Sequence, residues 1–176
     1  MKKLFKMFIC LMFGLCLVGC NMGKKVKYNI RFYDESTENA LYHIDKGYND
    51  TGKSTYNVEI VKSYDKLLVL CDQYNSPAFD EKSEKYSNEV NQLIRSFTQE
   101  YFETKALVFY FGNATRKESF TDIKSMVIKD DILVINYEKA KGDTWTTEIR
   151  AQPWTLIIEL NQDVVSNVNN AKVVIK

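Results

Sequence analysis

The sequence predicts an α+β fold, two helices of the N-terminal half packed on an antiparallel β-sheet of about five to six strands. Three observations lead there. Apolar residues recur at helical spacing in two segments, 64–74 and 83–97. After Lys105 the pattern changes to short runs of β-branched and aromatic residues broken by polar turns. Helices followed by consecutive strands, without alternation, favour antiparallel pairing over βαβ units.

The chain begins with export chemistry. Lys2, Lys3 and Lys6 form a cationic start, and residues 7–19 are an apolar run of 13. That run is shorter than the ~20 residues of a membrane-spanning helix. A charged start, an apolar centre and a small residue before a cleavage point describe a secretory signal. Its end, Leu17-Val18-Gly19-Cys20, resembles the lipobox of bacterial lipoproteins, in which the chain is cut before the Cys and the Cys is diacylated. Residues 1–19 are thus expected to be a lipoprotein signal peptide and Cys20 the lipid attachment point. Two acyl chains on one residue suffice for stable anchoring, here on the extracytoplasmic face of the cell membrane. Removing the signal leaves 157 residues and takes the formal charge from +1 to −2. Cys10 and Cys16 leave with it, so Cys71 has no disulfide partner once Cys20 carries lipid. The core alone must hold the fold, which a chain of this length permits.

Residues 20–27, polar and basic, read as a lipidated tether able to touch anionic head groups, and 28–176 as one domain. Alternation over 28–33 suggests a first strand, and 34–53, rich in Asp, Glu, Asn, Gly and Thr, reads as loops and turns. Tyr56, Val58 and Ile60 share one face of a second strand over 56–61. Ser63 is placed as an N-cap, because its oxygen can accept free N–H groups of the next turn. Tyr64, Leu67, Leu68, Cys71 and Tyr74 then form the buried stripe of the first helix, which Asn75-Ser76-Pro77 ends. The second helix is placed from near Ser83, with Tyr86, Val90, Leu93, Ile94 and Phe97 on its stripe, and 98–104 as a short helical turn. The continuous apolar run 106–111 is a strand buried on both faces, stopped by Gly112-Asn113. Strands over 120–128 and 132–137 join as a hairpin through Lys129-Asp130-Asp131. Further strands over 145–149, 154–160 and 171–175 complete the sheet.

Within 97–160, four stretches stand out: Tyr101-Phe102 before the first long strand, Ala106-Leu107-Val108-Phe109, Ile132-Leu133-Val134-Ile135 after a polar turn, and Gln152-Pro153-Trp154-Thr155-Leu156-Ile157-Ile158-Glu159-Leu160. Together they resemble the small domain of PrcB-type protease-complex subunits and related bacterial lipoproteins. The Trp-x-x-x-Ile-Glu strand, Trp154 through Glu159, is the most distinctive part. Where such domains often carry a small Gly- or Ser-rich element after the first long strand, this chain has Asn113-Ala114-Thr115-Arg116-Lys117. The resemblance implies an accessory role, stabilising or presenting a partner such as an exported protease, without catalysis of its own.

The residues themselves offer little reactive chemistry. Near balance of 24 basic and 23 acidic side chains gives no reason to expect a nucleic-acid partner. His43, the only histidine, has no nucleophile motif around it. Cys71 falls on an apolar stripe, where a free thiol behaves as a small hydrophobe. The pairs Asp34-Glu35, Asp80-Glu81 and Asp130-Asp131 lie in polar turns. No EF-hand loop, phosphate loop, Cys-x-x-Cys or His-Glu-x-x-His pattern occurs. No catalytic residue, metal or cofactor is therefore expected, and the protein is not expected to be an enzyme. Trp154, which leads Leu156 and Ile158 along one face, is placed in the core. Trp145, flanked by threonines, is the candidate exposed partner contact, with Arg116 and Arg150 as candidate basic contacts. The expectation is a membrane-anchored lipoprotein acting as a protein-binding or protease-stabilising module, and the alternative is a small-ligand or carbohydrate-binding lipoprotein.

Overall fold

The strands that carry the longest apolar runs lie deepest. In the computed structural model, which describes residues 23–34, 55–114, 123–137 and 152–175, β4 (Lys105–Ala114) and β7 (Gln152–Asn161) pair antiparallel along their whole length. Residues 106–112 and 153–160 are all buried. Strands buried on both sides need a layer above and a layer below. β2 (Asn29–Asp34) and β3 (Thr55–Val61) complete this central sheet in the order β2-β7-β4-β3, with every neighbouring pair antiparallel.

The layer below is a second sheet. It contains β1 (Lys24–Val26), β5 (Ile123–Lys129), β6 (Ile132–Tyr137) and β8 (Asn170–Ile175) in the order β1-β5-β6-β8. β6 and β8 run parallel, the others antiparallel. The layer above is helical: α1 (Tyr64–Gln73), α2 (Glu89–Ser96) and the short α3 (Tyr101–Thr104), with a 3-10 turn at Pro77–Phe79. A further short helix, α4 (Gln162–Val165), links β7 to β8.

This corrects the expected architecture of two helices on one antiparallel sheet of five to six strands. The described residues form two sheets of four strands each together with four helices, a mixed α/β arrangement. Period-2 patterning reports which face of a strand is apolar, but not which sheet the strand joins. Here the chain leaves the central sheet after β4, returns for β7 and leaves again for β8, so neighbours in sequence occupy different layers. Lys24–Val26, inside the stretch expected to be a tether, is built into the second sheet opposite residues 126–128, with Val26 buried. Three residues among lysines carry no readable alternation.

Two cores follow from the layers. Between the sheets, Val108, Tyr110, Trp154, Leu156 and Ile158 meet Met126, Leu133, Ile135 and Tyr137. Trp154 is a core residue, as its place ahead of Leu156 and Ile158 suggested, and its ring stands at 70° to that of Tyr110 with centroids 4.4 Å apart. On the opposite face Leu107, Phe109, Phe111 and Ile157 pack against Leu67, Leu70 and Cys71 of α1 and Val90 and Ile94 of α2. Alternation of Val108 and Tyr110 with Leu107, Phe109 and Phe111 is what lets one strand serve both cores.

Ser63 caps α1 as expected, its Oγ accepting from Lys66 N at 3.2 Å. The second helix starts six residues later than its stripe suggests, at Glu89 rather than Ser83. Residues 80–88 instead form successive turns, in which Asp80 Oδ1 accepts from Lys82 N and Ser83 Oγ from Lys85 N. Such local side-chain bonds compete with the helix. Arg95 pins this stretch by donating to the carbonyls of Ala78 (2.7 Å) and Tyr86 (2.8 Å) while lying over the Tyr86 ring. The β5–β6 hairpin turns at Asp130 and Asp131, both with positive φ (52° and 59°), as two-residue hairpin loops demand. Just past β3, Lys62 Nζ donates to the Ser166 carbonyl (3.0 Å) and Gln162 Nε2 to that of Lys62 (3.1 Å), tying the end of β3 to α4, the link into β8.

Candidate functional site

Glu159 is the one acidic residue in the apolar stretch 154–160. A carboxylate on a doubly covered strand must find partners or become neutral. Glu159 lies on the same side of β7 as Ile157, toward the helices, and its side chain is 7% exposed. Its Oε2 accepts from Tyr101 Oη at 2.9 Å and from Arg31 Nη1 at 3.1 Å, and its Oε1 accepts from Asn29 Nδ2 at 3.2 Å. Lys105 Nζ lies 3.7 Å from Oε1.

Each partner arrives for a local reason. Asn29 sits directly opposite Glu159 in the β2–β7 ladder. The register slips between Ile30 and Phe32, leaving Arg31 as the extra residue of a bulge, and bulges re-aim side chains in this way. Lys105 opens β4, and Tyr101 opens α3, where its ring packs on Phe97 and Phe102.

The electrostatics define what this cluster can do. Burial alone pushes the Glu159 carboxyl up. The hydrogen bonds from Tyr101 and Asn29 and the charges of Arg31 and Lys105 outweigh it, and hold the group below the usual carboxylate range. Tyr101 moves the other way, its phenol raised by burial and by the bond to Glu159, with Arg31 opposing. A carboxylate held ionised below the usual carboxylate range, with both oxygens engaged by donors, is suited to structural bonding rather than to proton transfer. The cluster is a clamp that ties β2, β4, β7 and α3 together.

Two further features lie on the helical side. A depression of about 200 Å³ opens where β3 runs into α1, lined by Lys62, Ser63, Tyr64, Asp65, Gln99, Phe102 and Glu103. It is smaller and more polar than the apolar clefts of ~300–1,000 Å³ that take small organic ligands. Next to it on the helical layer lies an apolar patch. Tyr64 and Leu68 are one turn apart on α1, and Phe79 stands edge-on to Tyr64 with ring centroids 6.4 Å apart. Leu68 and Phe79 are each 38% exposed, and Val69 is 55% exposed.

Of the residues singled out in the sequence, Cys20, His43, Arg116, Trp145 and Arg150 lie outside the described residues, as does the strand placed at 145–149. Cys71 is buried on the core face of α1, and burial pushes its thiol up to about 11, with a hydrogen bond to Ser76 opposing. Sequence reasoning missed the Glu159 clamp. Its signal was present, a lone charge inside a run of buried β-formers, but the partners come from three other elements far away in sequence. Among the described residues no group of three or more His, Cys, Asp or Glu side chains is placed to hold a metal ion, and no helix is long and apolar enough to cross a membrane. No protein-family model matches this chain, and no curated protein or solved structure matches it either.

Proposed function

We propose that the protein is an extracytoplasmic lipoprotein, held on the outer face of the cell membrane by lipid on Cys20, whose domain binds and stabilises another exported protein. The anchor is supported by Leu17-Val18-Gly19-Cys20 behind a cationic start and a 13-residue apolar run. The binding role is carried by one observation, the apolar patch on the helical layer in which half-buried Tyr64 is flanked by Leu68 one turn along α1 and by the ring of Phe79, each of the latter two 38% exposed. Scattered surface apolar residues need no explanation, whereas clustered ones mark contact sites. The resemblance of 97–160 to PrcB-type domains adds an exported protease as the class of partner.

Two variants test the two parts. Cys20→Ala removes acyl labelling and releases the protein from the membrane fraction; unchanged labelling refutes the anchor. A Leu68→Glu, Phe79→Glu double variant loses a partner that co-purifies in stoichiometric amounts with the wild type from detergent-solubilised membranes. A wild type that brings down no specific partner overturns the binding role.

A further inference from the structure

The outer face of the second sheet carries lysines and, among the described residues, no carboxylate. Strand register defines that face. Val26, Met126, Leu133 and Ile135 point into the core between the sheets, so their chain neighbours point away. Lys25 opposite Val127, Val127 opposite Val134, and Val134 opposite Lys172 form one row across all four strands. The adjoining row holds Lys129, Ile132 and Asn170, and the row on the other side Ser125, Asn136 and Val174. With strands ~4.8 Å apart, Lys25 and Lys172 stand roughly 14 Å apart, and Lys129 lies one row along. All three lysines are exposed; Val127 and Val134 lie between Lys25 and Lys172, the first half-buried and the second buried, and Ile132 and Val174 in the flanking rows are half-buried. Asp130 and Asp131 occupy the hairpin turn at the end of the sheet rather than its face.

A second observation fixes where this face sits relative to Cys20. A Cβ on Gly23 would lie 2.6 Å from the Ile128 carbonyl oxygen, so the chain is already pressed against β5 at Gly23. From Cys20 to Gly23 the chain reaches at most ~11 Å, whatever its conformation. Lys24 and Lys27, both exposed, lie along the same edge.

From the lysine rows and the short leash we propose that the outer face of the second sheet docks on the anionic phospholipid surface of the membrane that holds the protein. The proposal rests on the reading of Cys20 as a lipid anchor. A leash of ~11 Å keeps the β1 edge at the bilayer, and the lysines then select which face turns down. Each lysine near an anionic surface favours the docked orientation by about fivefold, so three amount to on the order of a hundredfold at low salt. Screening weakens this as ionic strength rises. Docking through the second sheet turns the helical layer, with Tyr64, Leu68 and Phe79, away from the bilayer and toward a partner.

The test uses the full, processed protein reconstituted in vesicles of phosphatidylcholine alone and of an equimolar mixture with phosphatidylglycerol. A thiol-coupled fluorophore is placed at Asn170→Cys on the outer sheet face or at Val69→Cys on the helical layer. Brominated or headgroup-quencher lipids are expected to quench the probe at 170 in the anionic vesicles, more weakly in the neutral ones, and the probe at 69 in neither. A Lys25→Gln, Lys129→Gln, Lys172→Gln triple variant keeps the protein on the vesicles through its lipid but loses the charge-dependent quenching at 170. Equal quenching at both positions, or quenching indifferent to lipid charge or to the triple variant, overturns the proposal while the anchor stands. Absence of acyl chains on Cys20 by mass measurement overturns the anchor and this proposal with it.

Discussion

Removing the Tyr101 hydroxyl tests the clamp around Glu159 most directly. The bond is 2.9 Å long and ends on a carboxylate that is 7% exposed, and hydrogen bonds to charged groups contribute about 1.5–3 kcal/mol. Arg31 supplies the second donor to the same oxygen, but its side chain is 40% exposed. Solvent screening reduces that pair to about 0.5–1 kcal/mol. Tyr101→Phe, which keeps the ring against Phe97 and Phe102, is therefore expected to cost about 1–2 kcal/mol. Glu159→Gln, which keeps the shape and one acceptor, is expected to cost about 2 kcal/mol. Because Tyr101→Phe removes the bond that Glu159→Gln strips of its charge, their sum should exceed the double variant by about 1 kcal/mol. Urea unfolding at neutral pH measures all three, and in thermal scans each kcal/mol appears as about 2–4 °C. The pH dependence has a definite sign. The folded Glu159 carboxyl lies below its unfolded value, so its contribution is complete above the unfolded carboxyl pKa and fades as pH falls through the folded one. Tyr101 is raised, so its contribution is complete below the unfolded phenol pKa and fades as pH rises beyond it. Wild type and Glu159→Gln should thus converge in acid. Strict additivity of the two substitutions, or a stability gap that persists at pH ~2–3, well below ordinary carboxyl values, refutes the clamp.

Three further outcomes follow from local geometry. Gly23→Ala places a methyl against the Ile128 carbonyl and should lift β1, seen as faster amide exchange over 24–26 with little change in the core; unchanged exchange contradicts the contact. Native Cys71, buried and with its thiol raised to about 11, should resist aromatic disulfide reagents at pH 8 and react fully in urea, so rapid native labelling contradicts its placement. Asp131→Gly relieves a positive φ of 59° in the β5–β6 turn and should raise stability by about 0.5–1 kcal/mol in chemical denaturation. A loss of stability there would mean that the Asp side chain, not the backbone, decides the turn.

The elements were largely legible and their assembly was not. Ser63, the span of α1, the doubly buried run 106–111, the β5–β6 hairpin and the core position of Trp154 each follow from a pattern within about ten residues, where local spacing and steric preference suffice. The α1 stripe was right at Leu67 and Cys71 but placed Leu68 in the core, where the structure exposes Leu68 and buries Leu70 instead. What failed depends on distance. Nothing within β5 or β6 says that they pair beneath β4 and β7 rather than beside them, since either packing buries one apolar face. β1 was lost among lysines, and the start of α2 was misplaced because Asp80 and Ser83 bond their own backbone. The Glu159 clamp was half legible. A lone acid among buried β-formers announces a need for partners, while Asn29, Arg31, Tyr101 and Lys105 become candidates only after β2, α3 and β4 are set around it.

The parallel pairing of β8 with β6 bears on how the molecule is made. The β5–β6 hairpin closes locally and fast, but β1 reaches it from roughly a hundred residues upstream, and β8 arrives after the central sheet's β7. A chain that emerges N-terminus first thus carries an unfinished sheet whose β6 flank offers a row of unpaired N–H and C=O groups until 170–175 come into place. Such a flank templates pairing with a neighbouring chain. β8 is therefore less a contributor to the finished core than the seam that closes the growing molecule against its own copies.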